Sequence, residues 1–445
     1  MSQPLEAFRN AFKIPELKRR IFFTLAMLAI YRLGAHVPAP GVNGAALADR
    51  IRSLGGGVLG FYDLFSGGAF SNATVFALGI MPYISSSIIM SLLTAVIPSL
   101  EKLAKEGQEG QKKITEYTRY GTILLCVIQS IGIAIYLQGM EAGSGPAIVP
   151  NPGVGFIAMC VLTFTTGTAF IMWLGEQISE FGIGNGMSLI IFISIVSRMP
   201  SAVFNLLRLV RYGQLDPIQA LVLVFLLVAV VAGAIVLTTA QRRIPVQYPR
   251  QVKGRRVFGG QRNYLPLRVN QAGVIPIIFA SSLMMLPGFM AKAITIPAVQ
   301  DFFDRWFDYN GFAYNTSEAL LIIFFAFFYT SITFNPVEMA ENTKKYGGVI
   351  MGVRPGKATA EYLEGIMLRI TFVGALFLTL VALMPQFVYQ LLKVGDWRIV
   401  SFFGGTSLLI LVGVALDTVK QIEQHLIMRH YDGFSKGRRL RGRRG

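Results

Sequence analysis

Ten stretches of about 20 mostly apolar residues recur along the chain, and this is the length that a helix needs to cross a bilayer. The bilayer core holds no water to form hydrogen bonds with backbone N–H and C=O groups, so such stretches predict transmembrane helices and exclude most soluble folds. We expect an all-α polytopic membrane protein with ten spans at 21–38, 74–97, 119–138, 154–174, 184–205, 217–239, 272–291, 317–335, 367–390 and 402–422.

The composition agrees with a membrane protein. Of 445 residues, 53% are hydrophobic and 15% are charged, whereas soluble domains carry roughly 25% charged residues. Cys126 and Cys160 both lie in apolar stretches, where cysteine usually acts as a small buried hydrophobe. We therefore expect no disulfide, no metal site and no cofactor.

The basic residues indicate the orientation of the chain. Residues 241–271 carry eight Arg and Lys and no Asp or Glu, and basic residues in short loops are retained in the cytoplasm. With span-end residues counted in the adjoining loop, the N-terminal arm, the even-numbered loops and the tail hold 30 basic residues, and the odd-numbered loops hold 9. Both termini are therefore expected in the cytoplasm.

Ten spans divide at the fifth loop into two sets of five. If each half is a copy of one unit with an odd number of spans, the two copies lie in the membrane in opposite orientations. This is the inverted-repeat arrangement of many transport proteins. The predicted organisation is a cytoplasmic arm at 1–20, an N-terminal half at 21–205, a hinge loop at 206–216, a C-terminal half at 217–425 with cytoplasmic loops 241–271 and 336–365, and a basic cytoplasmic tail at 426–445.

The segment 60–72, between the first two spans, is apolar but short. It reads FYDLF at 61–65 and then reaches Gly67 and Gly68. One helical turn cannot cross a bilayer, so we expect a half-helix that folds back into the protein, where irregular backbone is tolerated only if protein surrounds it or it lines a cavity. The alternative is an amphipathic turn on the surface.

Residues that could carry chemistry are scarce. The sequence contains no phosphate-binding loop, and its three histidines, His36, His425 and His430, do not cluster, so an enzyme has no support. An ion-coupled transporter usually places ionisable groups in mid-membrane, and the spans hold few, with Asp417 as the main exception. A channel and an inverted-repeat solute transporter both stay open.

Apolar residues recur at helical spacing inside several spans. Ile80 and Ile84 lie four residues apart in the second span, and Met187 and Ile191 do so in the fifth. From periodicity alone, these are ordinary packing residues.

Long strings of the sequence resemble the SecY family, whose members are the channel-forming subunits of protein translocases. The strings include FSGGAFSNATVFALGIMPYISSSII at 65–89, WLGEQISEFGIGNGMSLIIF at 173–192, FNPVEMAENTKKYGGVIMGVRPG at 334–356 and FFGGTSLLILVGVALD at 402–417. Shared hydrophobicity alone would not reproduce their polar residues, such as Glu176 and the Arg354-Pro355-Gly356 turn.

This resemblance implies a fold and a set of roles. The fold would be two pseudo-symmetric inverted halves of five spans around an hourglass pore, with residues near 61–70 as its plug. The implied residues are a constriction ring of Ile80, Ile84, Met187, Ile191, Ile278 and Ile410; a plug with Phe61, Tyr62, Leu64, Phe65, Gly67, Gly68 and Phe70; a lateral gate with Ser85, Ser86, Gln129 and Asn270; and cytoplasmic docking residues Arg255, Arg256 and Arg354.

The resemblance also implies partners. Because the sequence has no nucleotide site, a SecA-like ATPase or the ribosome would drive transport by docking on the basic cytoplasmic loops, and SecE-like and SecG-like small membrane subunits would complete the channel. Signal peptides, nascent chains and membrane lipid are the other expected partners, and the bacterial cytoplasmic membrane is the expected location. Alternatively, Arg255 and Arg256 serve only to retain their loop in the cytoplasm.

The topology predicts the reactivity of engineered cysteines in intact cells. Cysteines at Gly145 and Asp308 should react with an impermeant thiol reagent applied from outside, and a cysteine at Gly259 should not, because the basic loop lies inside. Labelling of position 259 from outside would contradict the predicted orientation.

Overall fold

The computed structural model describes residues 14–53, 63, 65–140, 147–213, 215–248, 251–253, 256–258, 262–293, 301–302, 306, 311–392 and 405–436. Its helices are α1 Pro15–Gly34, α2 Gly44–Ser53, α3 Met81–Val96, α4 Pro98–Lys105, α5 Gln108–Gly139, α6 Val154–Phe181, α7 Gly186–Val196, α8 Met199–Arg211, α9 Pro217–Thr239, α10 Ile275–Ala293, α11 Phe312–Thr333, α12 Pro336–Lys345, α13 Lys357–Leu392 and α14 Thr406–Lys436. Its strands are β1 Gln241–Gln247, β2 Gln251–Lys253, β3 Arg256–Phe258, β4 Arg262–Arg268 and β5 Val349–Ile350.

Every predicted span overlaps a helix. Within the described ranges, six helical segments are long and apolar enough to cross a membrane on their own, and the bent pair α3–α4 is a seventh candidate. The three other predicted spans fall on α1, α10 and α14. The all-α polytopic expectation is confirmed.

Helix α9 shows how the sequence specifies a lipid-facing span. Asp216 caps its N-terminus in a capping box with Gln219, and Pro217 occupies the first turn, where its missing N–H costs nothing. The helix is apolar on every side, yet few of its side chains are buried in the protein. A helix that is apolar all round and still exposed in the isolated chain is suited to contact lipid.

The second predicted span is shorter than expected. Helix α3 begins at Met81, not near residue 74, because the preceding residues form a series of turns. At its other end the chain bends by 101° between α3 and α4, where Pro98 begins the new helix. A proline cannot extend the preceding helix because its ring clashes with the carbonyl one turn back.

The chain forms two compact units. The first contains residues 1–86, 116–201 and 414–445, and the second contains residues 87–115 and 202–413. The division at 206–216 into an N-terminal and a C-terminal half stays a prediction, and the compact units place 414–445 with the first unit. In that unit, Leu17 of α1 and Ile422 of α14 pack on Ile183, in the turn that joins α6 and α7.

The second unit includes a small sheet that was not expected from the sequence. The sixth loop, called here the basic loop, contributes β1 and β4, and the eighth loop contributes β5, in the order β4-β1-β5 with antiparallel pairing. Ile244 and Val246 of β1 pack with Leu363 and Met367 of α13 in a buried cluster. The sixth and eighth loops thus contribute to one sheet.

Candidate functional site

The segment between the first two spans is buried. We call Asp63 and residues 65–80 the re-entrant segment; Phe61, Tyr62 and Leu64 lie outside the described residues. Phe65 is 2% exposed and Ala69 is fully buried. The part of the segment that the structure describes is therefore not a surface turn.

Local hydrogen bonds hold this irregular backbone together. The carbonyl of Asp63 accepts hydrogen bonds from Gly68 N at 3.0 Å and from Ser66 Oγ at 3.1 Å. Asp63 Oδ1 accepts from Ser71 N at 2.8 Å, and Ser66 Oγ accepts from Phe70 N at 3.2 Å. One aspartate thus closes the turns from residue 63 to residue 71.

Two arginines from the surrounding helices contact the segment. Arg198, which follows the end of α7, forms an ion pair with Asp63 through Nη2 and Oδ2. Arg32, near the end of α1, donates from Nη1 to the carbonyl of Gly67 at 3.3 Å. The side chain of Asp63 is 5% exposed and that of Arg198 is 28% exposed, so the carboxylate is buried while the guanidinium keeps some access to solvent.

The double glycine makes this approach possible. Gly67 and Gly68 have φ angles of +65° and +93°, which residues that carry a Cβ adopt only at a cost in conformational energy. A Cβ on Gly67 would lie 3.0 Å from the Cα of Ser194, and one on Gly68 would lie 3.1 Å from Nη2 of Arg198. Glycine at these positions lets both α7 and the guanidinium groups pack against the backbone.

Further contacts attach the segment to α1 and α6. Ala39 N donates to the carbonyl of Ala73 at 2.7 Å, and Thr168 Oγ1 of α6 donates to the carbonyl of Gly79 at 3.3 Å. The ring of Tyr31 stacks on Phe76 with centroids 5.8 Å apart. The segment is therefore held by three helices of the first unit.

The predicted ring residues are mostly buried. Ile80, Ile84, Ile191, Ile278 and Ile410 are at most 6% exposed, and Met187 is partly buried. Residues 80, 84, 187 and 191 belong to the first unit, and residues 278 and 410 belong to the second. Burial fits a packed core as well as a closed ring, so the ring stays a prediction.

The predicted gate residues make local contacts. Ser86 Oγ of α3 donates to the carbonyl of Thr118 in α5 at 2.8 Å, and Asn270 Nδ2 donates to the carbonyl of Gly273 at 2.9 Å. Ser85 is buried, and Gln129 has a buried Oε1 atom with no hydrogen-bond partner among the described residues. Their role in a lateral gate stays a prediction.

Of the predicted docking residues, Arg354 is described best. It is exposed and lies in a turn between Gly352 and Gly356, whose φ angles are +81° and +106°. Its carbonyl accepts a hydrogen bond from Thr359 Oγ1 at 2.9 Å, so α13 fixes the turn. Arg255 lies outside the described residues, and only the backbone of Arg256 is described, in β3.

Sequence reasoning missed several charged groups. Arg198 falls inside the predicted fifth span and pairs with Asp63, which is 135 positions away. Arg119 of α5 and Glu176 of α6 form a bidentate ion pair with N–O distances of 2.7 and 2.8 Å, and Glu318 of α11 is 5% exposed. A scan for charges within the predicted spans would have marked Arg119, Arg198 and Glu318, but their partners Glu176 and Asp63 lie outside those spans.

No group of three or more His, Cys, Asp or Glu side chains that could hold a metal ion occurs in the part of the chain that the structure describes. Cys126 and Cys160 are buried and are not joined in a disulfide.

Solved channel structures share this fold. One described as "The structure of a protein conducting channel" is 16% identical, covers 93% of this chain and 96% of its own, and superposes with a TM-score of 0.64. Another, described as "Sec61 in the Canine ribosome-channel complex from the endoplasmic reticulum", is 14% identical with the same coverage and a TM-score of 0.55.

Sequence relatives show the family. The protein translocase subunit SecY of Aquifex aeolicus is 45% identical over 98% of this chain and 99% of its own length. That of Thermotoga maritima is 43% identical over 99% of this chain and 100% of its own length. The SecY family profile matches residues 74–419, and the chain, a multi-pass membrane protein, belongs to the SecY family.

Proposed function

We propose that this chain is a protein-conducting channel, which passes unfolded secretory polypeptides across the cytoplasmic membrane and releases transmembrane segments sideways into lipid. The observation that carries this function is the identity of 45% over almost the full length to a protein translocase subunit. An inverted-repeat solute transporter has no comparable support, and the family is one of channels and not of catalysts.

The re-entrant segment suits the plug of such a channel. A structure described as "The plug domain of the SecY protein stablizes the closed state of the translocation channel and maintains a membrane seal" resembles this chain with a TM-score of 0.62. In this chain we assign the corresponding role to the buried residues 65–70, which include four of the predicted plug positions and lie beside Arg32 and Arg198. We infer that the segment closes the channel at rest.

A ring of apolar side chains would complete the seal. Such a ring excludes water and ions, yet it offers a passing polypeptide no hydrogen bonds that would hold it back. We infer that Ile80, Ile84, Met187, Ile191, Ile278 and Ile410 form this ring, which the burial of the isoleucines permits.

The lateral exit would lie beside α3 and α5, where Ser85, Ser86 and Gln129 are found, with Asn270 in the second unit. For a segment that samples lipid there, each central Leu or Ile contributes about −0.3 to −0.6 kcal/mol toward insertion, whereas one central charge costs about 2.5 to 3.5 kcal/mol. An exit that exposes the polypeptide to lipid therefore sorts segments by hydrophobicity.

Transport needs work from a partner, since the sequence has no nucleotide-binding loop. We infer that a SecA-like ATPase and the ribosome dock on the sheet of the basic loop and on the turn at Arg354. Solved ribosome complexes of the canine Sec61 and yeast Ssh1 channels support a ribosome partner. Exposed Arg243 and Arg268 on neighbouring strands add positive charge to the same structure, which favours anionic surfaces such as rRNA phosphates.

The remaining assignments follow from the same proposal. SecE-like and SecG-like subunits would accompany the channel in the bacterial inner membrane. Both termini would be cytoplasmic, as the distribution of basic residues predicts. The tail 426–445 carries many Arg and Lys and would be attracted to anionic lipid or RNA.

Charge reversal tests the docking residues. Arg354→Glu, and separately Arg255→Glu with Arg256→Glu, should weaken binding of the SecA-like motor more than about tenfold, because attraction becomes repulsion at an exposed surface. The measurement is motor binding and translocation into vesicles at equal channel abundance. Lys112→Glu, at another exposed cytoplasmic position, is the matched control. Normal binding in both Arg variants would remove these residues from the docking surface.

Polar substitution tests the ring. If Ile191 and Ile410 lie in a dry core, changing both to Asn should cost about 1–3 kcal/mol each and lower the yield of folded protein. If they face a pore, the protein should accumulate normally, and the resting channel should conduct ions across planar bilayers. Ile190→Asn is the matched control, because Ile190 is 1% exposed and is not one of the ring positions, so this change should lower the yield without conductance. Reduced yield without conductance in the Ile191/Ile410 variant would contradict the ring.

A further inference from the structure

We propose that the ion pair between Asp63 and Arg198 is a latch that holds the re-entrant segment in the closed channel, and that it thereby sets how strong a signal sequence must be to open the channel. This inference rests on the proposed function, because a latch has meaning only in a channel that opens. Four features of the first unit support it.

The first feature is the double use of the Asp63 carboxylate. Oδ2 pairs with Arg198, while Oδ1 accepts the hydrogen bond from Ser71 N at 2.8 Å. The same carboxylate therefore connects Arg198, which follows α7, to the turn that Asp63 and Ser71 close within the segment. Loss of the ion pair would detach the Asp63 carboxylate, and with it the turn between Asp63 and Ser71, from Arg198.

The second feature is the position of Arg198 between two helices, where its backbone is hydrogen-bonded. Helix α7 ends at Val196, and Arg198 N donates to the carbonyl of Ile195 at 3.1 Å. Pro200, in the first turn of α8, prevents continuation of α7 through this point. Arg198 therefore stands outside regular helix, between the end of α7 and the start of α8.

The third feature is the fixed position of α7 beside α1. Ser194 Oγ and Tyr31 Oη form a buried hydrogen bond of 2.7 Å, and both residues are at most 1% exposed. Helix α7, which Arg198 follows, is thus held against α1, which carries Arg32.

The fourth feature is the unequal burial of the two charges. Asp63 is buried, whereas Arg198 keeps partial access to solvent. Removal of the arginine would leave a buried carboxylate without a counter-charge, which disfavours the closed arrangement strongly. Removal of both charges would leave two neutral side chains, which buried sites tolerate far better than one unpaired ion.

The test uses the full channel complex reconstituted in planar bilayers and in vesicles. The variants are Asp63→Asn, Arg198→Gln and the two changes together. Arg208→Gln, an exposed position on α8, is the matched control for the loss of one positive charge. Resting ion conductance and transport of a substrate with a weakened signal sequence are measured at equal abundance, beside the thermal unfolding of each protein.

Each single variant should raise resting conductance and transport of the weak-signal substrate by roughly tenfold, a factor typical of coupling between contacting residues. The double variant should show less than the product of the two single effects, because both changes remove the same ion pair, and Arg208→Gln should match the wild type. If Asp63→Asn or Arg198→Gln reduces folding, Arg198→Lys supplies a milder change and should lie between the wild type and Arg198→Gln.

Two results would overturn the latch. In one, the single variants conduct and transport like the wild type. In the other, the double variant shows the full product of the single effects, because independent side chains would behave in this way. A wild-type complex that fails to transport any secretory substrate would instead refute the proposed function.

Discussion

The central constraint on this protein is that irregular backbone surrounded by transmembrane helices must find its hydrogen bonds within the protein. The re-entrant segment meets it with side chains as well as backbone. Asp63 accepts from Ser71 N, Arg32 donates to the Gly67 carbonyl, and Thr168 donates to the Gly79 carbonyl. A segment bonded in this way is stable when inserted, and the hydrogen bonds from Arg32 and Thr168 are broken if it leaves.

The same constraint explains features that lie far apart in the sequence. Gly67 and Gly68 adopt positive φ angles and leave room for α7 and the Arg198 guanidinium. Arg198 lies in the two-residue gap between α7 and α8, just before Pro200, and pairs there with Asp63. An otherwise unfavourable break in a span thus serves to close the site.

Hydropathy predicted the span positions well because the apolar length that a bilayer requires is a property of sequence alone. It could not show that the second span begins at Met81, since turns around residues 74–80 are as apolar as the helix. The sheet was missed although buried Ile244 and Val246 alternate with exposed residues in β1, because the positive charge of that loop was interpreted only as a sign of its orientation. The Asp63–Arg198 pair depends on tertiary structure, and no local pattern indicates it.

The most direct test of this account is a reversible attachment of the segment to α7. A Cβ on Gly67 would lie 3.1 Å from the Cβ of Ser194, close to the separation of about 3.5–4.5 Å in disulfides. With Gly67→Cys and Ser194→Cys together, oxidation should stop translocation of a secretory protein into vesicles, and reduction should restore it, while each single variant transports under both conditions. Continued transport with the disulfide fully formed would contradict the claim that the segment must leave for the channel to open.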